Sequence, residues 1–185
     1  MKEINKKLPL KQVLRLVKAH FLVSILIFVF AMIISGALYG NSKIPLVIFT
    51  IISMLTYFSS IYQESYNIAR QDKKRYTLEE PYKLKGFLLP VGVVVLTIVL
   101  YIMHYLIWKY MSMSNIWASL LSTIYVIWTF AFNGIIGLRQ GFMAWYGYII
   151  VVFAPVIFSG LGYIAGLKDF DITAKLSKFV YEKKD

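Results

Sequence analysis

The chain has 185 residues, of which 59% are hydrophobic and only 16% are charged, with a formal net charge of +11. Soluble domains are usually about 45–50% apolar and about 25% charged, so this composition argues against an ordinary soluble protein and favours a membrane protein. Because the chain has no cysteine, disulfides, thiolate metal sites and a cysteine nucleophile are excluded.

Residues 1–20 form a basic leader before the first apolar segment. Between Leu10 and Lys18, apolar residues recur on one helical face and basic residues on another. This pattern predicts a short amphipathic helix on the inner leaflet, attracted by anionic lipid headgroups; a docking face for a partner protein is the alternative. The following apolar stretch is longer than the roughly 7–15 residues of a signal-peptide core, so we interpret it as a retained helix.

Five segments with no Lys, Arg, Asp or Glu are long enough to cross a bilayer. Spanning about 30 Å of hydrocarbon takes about 20 helical residues. The segments lack the alternation of apolar and polar residues that a membrane β-barrel requires. The sequence therefore predicts an all-α polytopic integral membrane helical bundle, without room for a separate soluble domain. The predicted membrane helices are residues 21–40, 44–62, 86–108, 116–138 and 142–167.

The first two segments are predicted to form a hairpin that crosses the membrane and returns. The turn at residues 41–43 has one basic residue, whereas residues 1–20 and the 63–85 loop have six each. Because Lys and Arg accumulate on the cytoplasmic side, the N-terminus and the 63–85 loop are predicted to be cytoplasmic.

The polar stretch after the second segment is predicted to begin as a continuation of the helix, because neither Pro nor Gly interrupts it as far as Arg70. Around Asp72–Glu80 it is predicted to become a charged loop, which Pro81 ends. A charge run of this kind is usually solvated surface. We therefore assign no catalytic role to it or to the nearby Glu64.

The third segment contains Pro90 near its start, where the helix should kink or loosen. Near its far end, His104 is the one titratable residue well inside a predicted span. An ionisable residue in a membrane helix is a candidate for a proton relay or a ligand contact. The alternative is that His104 reaches the membrane interface, because Trp108 and Lys109 follow it closely.

The fourth segment carries a possible polar seam, since Ser122, Thr129 and Asn133 share one helical face. Such a seam could hold a substrate or an ion, or it could supply hydrogen bonds between helices. Its polar and small residues also make this segment the one expected to be re-entrant or tilted. If all five segments cross, 13 basic residues lie inside and 7 outside; four crossings give 17 and 3. The charge rule favours four.

The last segment contains Pro155 near its middle and small residues at its end. The spacing of Gly162 and Gly166 is typical of membrane helices that approach each other closely. In the tail, residues 168–185, apolar residues recur at helical spacing between lysines. This pattern predicts a second amphipathic basic helix.

The ending GLGYIAGLKDF, followed by the lysine-rich tail, resembles the C-terminus of small multi-pass bacterial membrane proteins that are themselves uncharacterised. The resemblance covers Gly160 to Asp185. It implies a bacterial plasma membrane as the location, and it implies no activity.

No enzyme signature occurs: HExxH, GxSxG, the P-loop and the dinucleotide fingerprint are all missing. We therefore predict a protein that is not an enzyme and has no catalytic, cofactor or metal site. Its expected partners are the lipid bilayer and either another membrane protein or a second copy, with no nucleic acid. A structural or accessory membrane subunit is the favoured function. The alternative is a small transport or substrate-capture component, although such subunits usually have six helices and an early AxxxA motif.

Overall fold

The computed structural model describes residues 3–5, 8–37, 44–75, 79–110, 115–136 and 145–170. Within these ranges the chain forms an all-helical bundle, as predicted, with a single pair of three-residue strands. The strands β1 (Glu3–Asn5) and β2 (Glu79–Pro81) pair in parallel. The helices are α1 (Leu10–Ala37), α2 (Ile44–Arg75), α3 (Lys85–Leu88), α4 (Val91–Tyr110), α5 (Ile116–Ile136) and α6 (Trp145–Leu167). The predicted hairpin turn at 41–43 and tail helix beyond residue 170 lie outside the described residues.

Three stretches of the described chain are helical, long and apolar enough to cross a membrane: Leu10–Ile33, Lys85–Tyr110 and Gly147–Leu167. Helix α5 contributes a shorter apolar stretch, Ile116–Phe132. Many large apolar side chains on these helices are exposed, including Ile33 and Ile116. An apolar outer surface of this kind is compatible with lipid and unfavourable in water, as expected for a membrane protein.

Helix α1 runs without interruption for 28 residues, which corresponds to about 42 Å. Residues 10–18 are therefore not a separate helix on the membrane surface, which corrects the prediction from their amphipathic pattern. The buried face of this part of α1 contains Gln12, Val13 and Leu16, whereas Leu10 and Leu14 are exposed. These turns pack inside the bundle through their buried face, and they continue directly into the first apolar helix.

Helices α1 and α2 are antiparallel, since Gln12 contacts Asp72 and His20 contacts Tyr57. Helices α2 and α6, by contrast, are parallel. Three contacts define their register: Phe58 with Phe158, Tyr62 with Gly162, and Tyr66 with Gly166. A Cβ atom on either glycine would overlap a main-chain carbonyl oxygen of α2. The close approach predicted from the glycine spacing is therefore confirmed, with α2 as the partner helix.

These directions bring four helix ends together. The beginnings of α1 and α3 and the last turns of α2 and α6 meet around Asp72, where Gln12, Lys85 and Tyr163 contact its carboxylate. We call this region the charged end of the bundle. Helix α4 starts beside α1, with Gly92 against Val13, and leads to the opposite end.

The third predicted segment is divided at Pro90, as its sequence indicated. The N–H of Leu89 donates to the Lys85 carbonyl at 3.0 Å and ends α3, and the N–H of Val94 donates to the Pro90 carbonyl at 3.0 Å in the first turn of α4. Because proline has no N–H and its ring crowds the preceding turn, one continuous helix is not formed here.

Asn115 directly precedes helix α5, and its side-chain oxygen accepts the N–H of Trp117 at 2.9 Å, an arrangement typical of an N-cap. The buried side chains from Tyr125 to Phe132 meet the middle of the bundle. Tyr125 stacks on His104 of α4, and Phe132 packs against Tyr57 of α2. Helix α5 thus fills the interior between α1, α2 and α4.

Candidate functional site

The charged end contains a buried carboxylate with three donors. The Oδ1 atom of Asp72 accepts from Gln12 Nε2 at 2.7 Å, and its Oδ2 atom accepts from Lys85 Nζ at 2.7 Å and the Tyr163 hydroxyl at 2.8 Å. Asp72 is 1% exposed and Lys85 is 3% exposed. We call these four residues the charge cluster. Each comes from a different helix, so the cluster joins α1, α2, α3 and α6.

Gly86 allows α3 to pack closely on α6 beside this cluster. A Cβ atom at Gly86 would overlap the side chain of Tyr163. Next to this contact, the Ser65 hydroxyl donates to Ser159 Oγ at 2.8 Å, and the Ser159 hydroxyl donates to the Gly86 carbonyl at 2.7 Å. This chain of hydrogen bonds runs from α2 through α6 to α3 and fixes the position from which Lys85 reaches Asp72.

The prediction that Asp72 belongs to a solvated loop is wrong. Helix α2 continues to Arg75, and Asp72 lies on the face of α2 that is buried throughout its second half. Residues on this face recur at helical spacing: Ile61, Ser65, Ile68 and Asp72. Extending this spacing beyond the apolar segment would have placed Asp72 in the interior, because positions four, seven and eleven residues apart share a helical face.

The buried ion pair is stable only because hydrogen bonds complement it. Removing a carboxylate and an ammonium group from water costs several kcal/mol per ion, and the attraction between them offsets this cost only when further donors satisfy the remaining lone pairs. Gln12 and Tyr163 supply those donors to Asp72. The sequence could not indicate them, since both lie far from Asp72 along the chain.

Two further ion pairs lie near the charge cluster, one partly buried and one exposed. Arg15 Nε donates to Glu64 Oε1 at 2.6 Å and its guanidinium also donates to Gln71 Oε1 at 2.7 Å. Lys73 of α2 pairs with Asp169 just after α6, where it lowers the pKa of the Asp169 carboxyl. Asp169 has a φ of 52°, and the flanking bonds from Phe170 to Ala165 and from Asp169 to Gly166 form the usual C-terminal closure of a helix.

A second polar cluster, of uncharged groups, lies deeper in the bundle. His20 is fully buried; its Nδ1 is 2.6 Å from the Tyr57 hydroxyl and its Nε2 is 3.1 Å from the Trp128 carbonyl oxygen. Because a carbonyl only accepts, Nε2 carries the hydrogen, and Nδ1 accepts from Tyr57. The Trp128 indole N–H donates to Thr97 Oγ1 at 2.8 Å. We call His20, Tyr57, Thr97 and Trp128 the neutral cluster.

The neutral cluster holds α5 in place. The Trp128 carbonyl also accepts from the Ser24 hydroxyl at 3.2 Å, and the His20 ring lies 4.1 Å from the Trp128 ring, measured between centroids. His20 was missed as a site residue because it directly precedes the first charge-free segment. Since α1 already begins at Leu10, however, His20 lies well inside the helix.

The predicted site residues are only partly brought together. His104 is 3% exposed and stacks on Tyr125 of α5 with ring centroids 4.4 Å apart, so it faces the bundle interior. Thr129 is buried, and its hydroxyl donates to the Tyr125 carbonyl at 3.0 Å within its own helix. Ser122 is partly buried on the same helix. The side chain of Asn133 lies outside the described part of the chain.

No family model, curated protein or solved structure matches this chain. Among the described residues, no group of three or more His, Asp or Glu side chains is placed to hold a metal ion. The two clusters and the surface of the bundle are the features that bear on function.

Proposed function

We propose that this protein is a multi-pass protein of the bacterial plasma membrane with four full crossings, α1, α2, α4 and α6. In this proposal α5 is embedded in the membrane without crossing it completely, and both ends of the chain are cytoplasmic. The observation that carries the proposal is the charged end, where α1 begins and both α2 and α6 end. If the first crossing helix begins and the last crossing helix ends at the same end of the bundle, the chain crosses the membrane an even number of times.

The distribution of charge supports the same topology. Four crossings place 17 of the 20 basic residues on the side of the charged end, and Lys and Arg are retained in the cytoplasm during insertion. A reporter fused after Asp185 tests this topology: cytoplasmic activity is expected, whereas activity only outside the plasma membrane would contradict it.

We further propose that the protein is a non-enzymatic structural or accessory subunit. Its two buried polar clusters are used between its own helices: the Asp72 carboxylate accepts three donors, and both ring nitrogens of His20 are engaged. Polar groups satisfied in this way hold a bundle together and leave less capacity for binding a ligand. The apolar faces of the outer helices then remain for lipid or for the helices of a partner.

The subunit proposal is tested by purification from its native membrane in a mild detergent, followed by measurement of mass and composition. A complex with a stoichiometric membrane partner, or with a second copy, is expected. A strict monomer with a bound metabolite would contradict the proposal.

A transport or substrate-capture component is the second candidate, and the surroundings of His104 favour it. Between α4, α5 and α6, His104 stacks on Tyr125, and Tyr101 packs on Tyr148 with ring centroids 4.3 Å apart. Such a cluster of polar aromatic groups could contact a substrate.

Native mass spectrometry of the purified protein would then find a small molecule that is lost in His104→Leu and Asn133→Leu. It would be retained in Thr123→Val, which alters an exposed hydroxyl of α5. Its retention in all three variants would exclude this site.

A further inference from the structure

The described carboxylates at the charged end are all engaged by cations of the protein itself. Glu64 pairs with Arg15, Asp72 with Lys85, and Asp169 with Lys73. These three are the acidic side chains that the structure describes. Each of these three described carboxylates is thus compensated by a cation of the protein, and the other described basic side chains form no ion pair with them.

Six further cations at the charged end are exposed, and none forms an ion pair with a described carboxylate. They lie on α1, on the last turns of α2, before α3 and after α6: Lys11, Lys18, Arg70, Lys74, Lys83 and Lys168. We call these six residues the basic belt. At the opposite end, the described chain has one exposed cation, Lys109.

The belt lies next to exposed apolar surface. Exposed apolar side chains adjoin the belt along the chain: Leu14 and Leu22 flank Lys18, and Leu84 and Leu88 follow Lys83. A lysine at the boundary between charged and apolar surface keeps its ammonium group at headgroup level while its methylene stem lies along the acyl chains. Because the belt residues belong to four different parts of the bundle, they fit a surrounding lipid layer better than one soluble anion.

We propose that the basic belt binds the phosphate groups of anionic phospholipids and gives the protein a preference for anionic over zwitterionic lipid. This inference rests on the proposed topology, in which the charged end meets the cytoplasmic leaflet. Clustered Lys and Arg side chains near such a leaflet are attracted by its negative surface potential, and salt weakens the attraction.

The test uses the full chain purified in an uncharged detergent, with thermal unfolding followed after addition of phosphatidylglycerol, phosphatidylcholine or soluble glycerol phosphate. Phosphatidylglycerol should raise the midpoint of unfolding by at least about twice as much as phosphatidylcholine, and about 0.5 M salt should remove most of the difference. Glycerol phosphate should have little effect. The variant Lys11→Gln/Lys18→Gln/Lys83→Gln/Lys168→Gln should lose the preference, and the matched control Lys109→Gln should keep it.

Equal effects of the two lipids, a salt-insensitive preference or a preference retained by the quadruple variant would overturn the inference. An equal effect of glycerol phosphate would instead identify a site for a soluble anion and would also overturn it. Since the salt dependence is measured on the unaltered protein, the test does not depend on correct folding of the variant. If the reporter after Asp185 lies outside but the lipid preference persists, the proposed topology fails and the basic belt stands.

Discussion

The charge cluster and the neutral cluster both connect helices in the bundle interior, but they do so with different chemical groups. Both join several helices through buried polar groups, but the charge cluster uses a carboxylate and an ammonium group, whereas the neutral cluster uses an imidazole, a phenol, an indole and a backbone carbonyl. The charged groups lie where the helices end, and the neutral groups lie deeper. Ions thus occur where the helices approach water, and uncharged hydrogen bonds occur within the apolar part of the bundle.

This difference has an energetic consequence. Breaking a buried ion pair leaves an uncompensated charge, whereas breaking a neutral hydrogen bond between membrane helices leaves a dipole that can find another partner. We therefore expect the charge cluster to be the more sensitive of the two to substitution, although it lies nearer to the surface of the bundle.

The largest effect is expected for Asp72→Leu, which leaves the Lys85 ammonium group buried without its counterion. The free energy of unfolding should fall by about 3–5 kcal/mol, measured by unfolding the protein in detergent with increasing amounts of SDS. In the double variant Asp72→Leu/Lys85→Met both charges are absent, so much of the loss should be recovered. A single variant within about 1 kcal/mol of the unaltered protein would remove the charge cluster as a stabilising element.

Gly162→Ala should have the next largest effect, because it tests the approach of α6 to α2 on which the Tyr163–Asp72 hydrogen bond depends. The added methyl group would overlap the Tyr62 carbonyl oxygen, and such overpacking costs about 1–3 kcal/mol. In the control Gly92→Ala, the added methyl group meets only side-chain atoms of Val13 and Val17, so the loss of stability should be smaller. Equal losses in the two variants would show that the backbone contact has no special role.

His20→Phe should reduce stability by a smaller amount, about 1–2 kcal/mol, because two neutral hydrogen bonds are lost from the neutral cluster. Tyr57→Phe removes only one of them and should cost about 0.6 kcal/mol. Both are measured by the same SDS unfolding experiment. A loss in His20→Phe that equals or exceeds the loss in Asp72→Leu would reverse the ranking of the two clusters.

The smallest effect is expected for the exposed pair of Lys73 and Asp169. Because Lys73 lowers the pKa of Asp169 in the folded state, the pair stabilises the protein above the ordinary carboxyl pKa of about 3.9, and this contribution is lost as the pH falls through the lowered folded pKa. The small difference in stability between the unaltered protein and Asp169→Asn should therefore be present at neutral pH and disappear in strong acid. A difference that grows on acidification would contradict the assignment.

Local features of the fold could be predicted from the sequence, but its long-range contacts could not. The helical segments, the break at Pro90 and the close approach at Gly162 all follow from the chemistry of neighbouring residues. The bond between His20 and the Trp128 carbonyl, in contrast, joins residues 108 positions apart. Such a contact depends on how α5 enters the bundle, and neither charge nor periodicity specifies that direction.

The location of the charge cluster could have been predicted in part. The spacing of buried residues on α2 includes Asp72, but the surrounding charges favoured a solvated loop. What the sequence could not supply was the identity of the partners. Lys85 follows a loop, and Tyr163 comes from the last helix, so their meeting with Asp72 depends on the parallel packing of α2 and α6.

In the proposed topology, α1 begins and α6 ends on the same side of the membrane. Since the chain has no cysteine, single cysteines at Lys11, Lys109 and Lys168 can be labelled in intact cells with a maleimide that does not cross the membrane. We expect labelling of Lys109→Cys in intact cells, and labelling of Lys11→Cys and Lys168→Cys only after the cells are opened. Labelling of Lys168→Cys but not Lys11→Cys in intact cells would place the two ends on opposite sides and contradict the proposed topology.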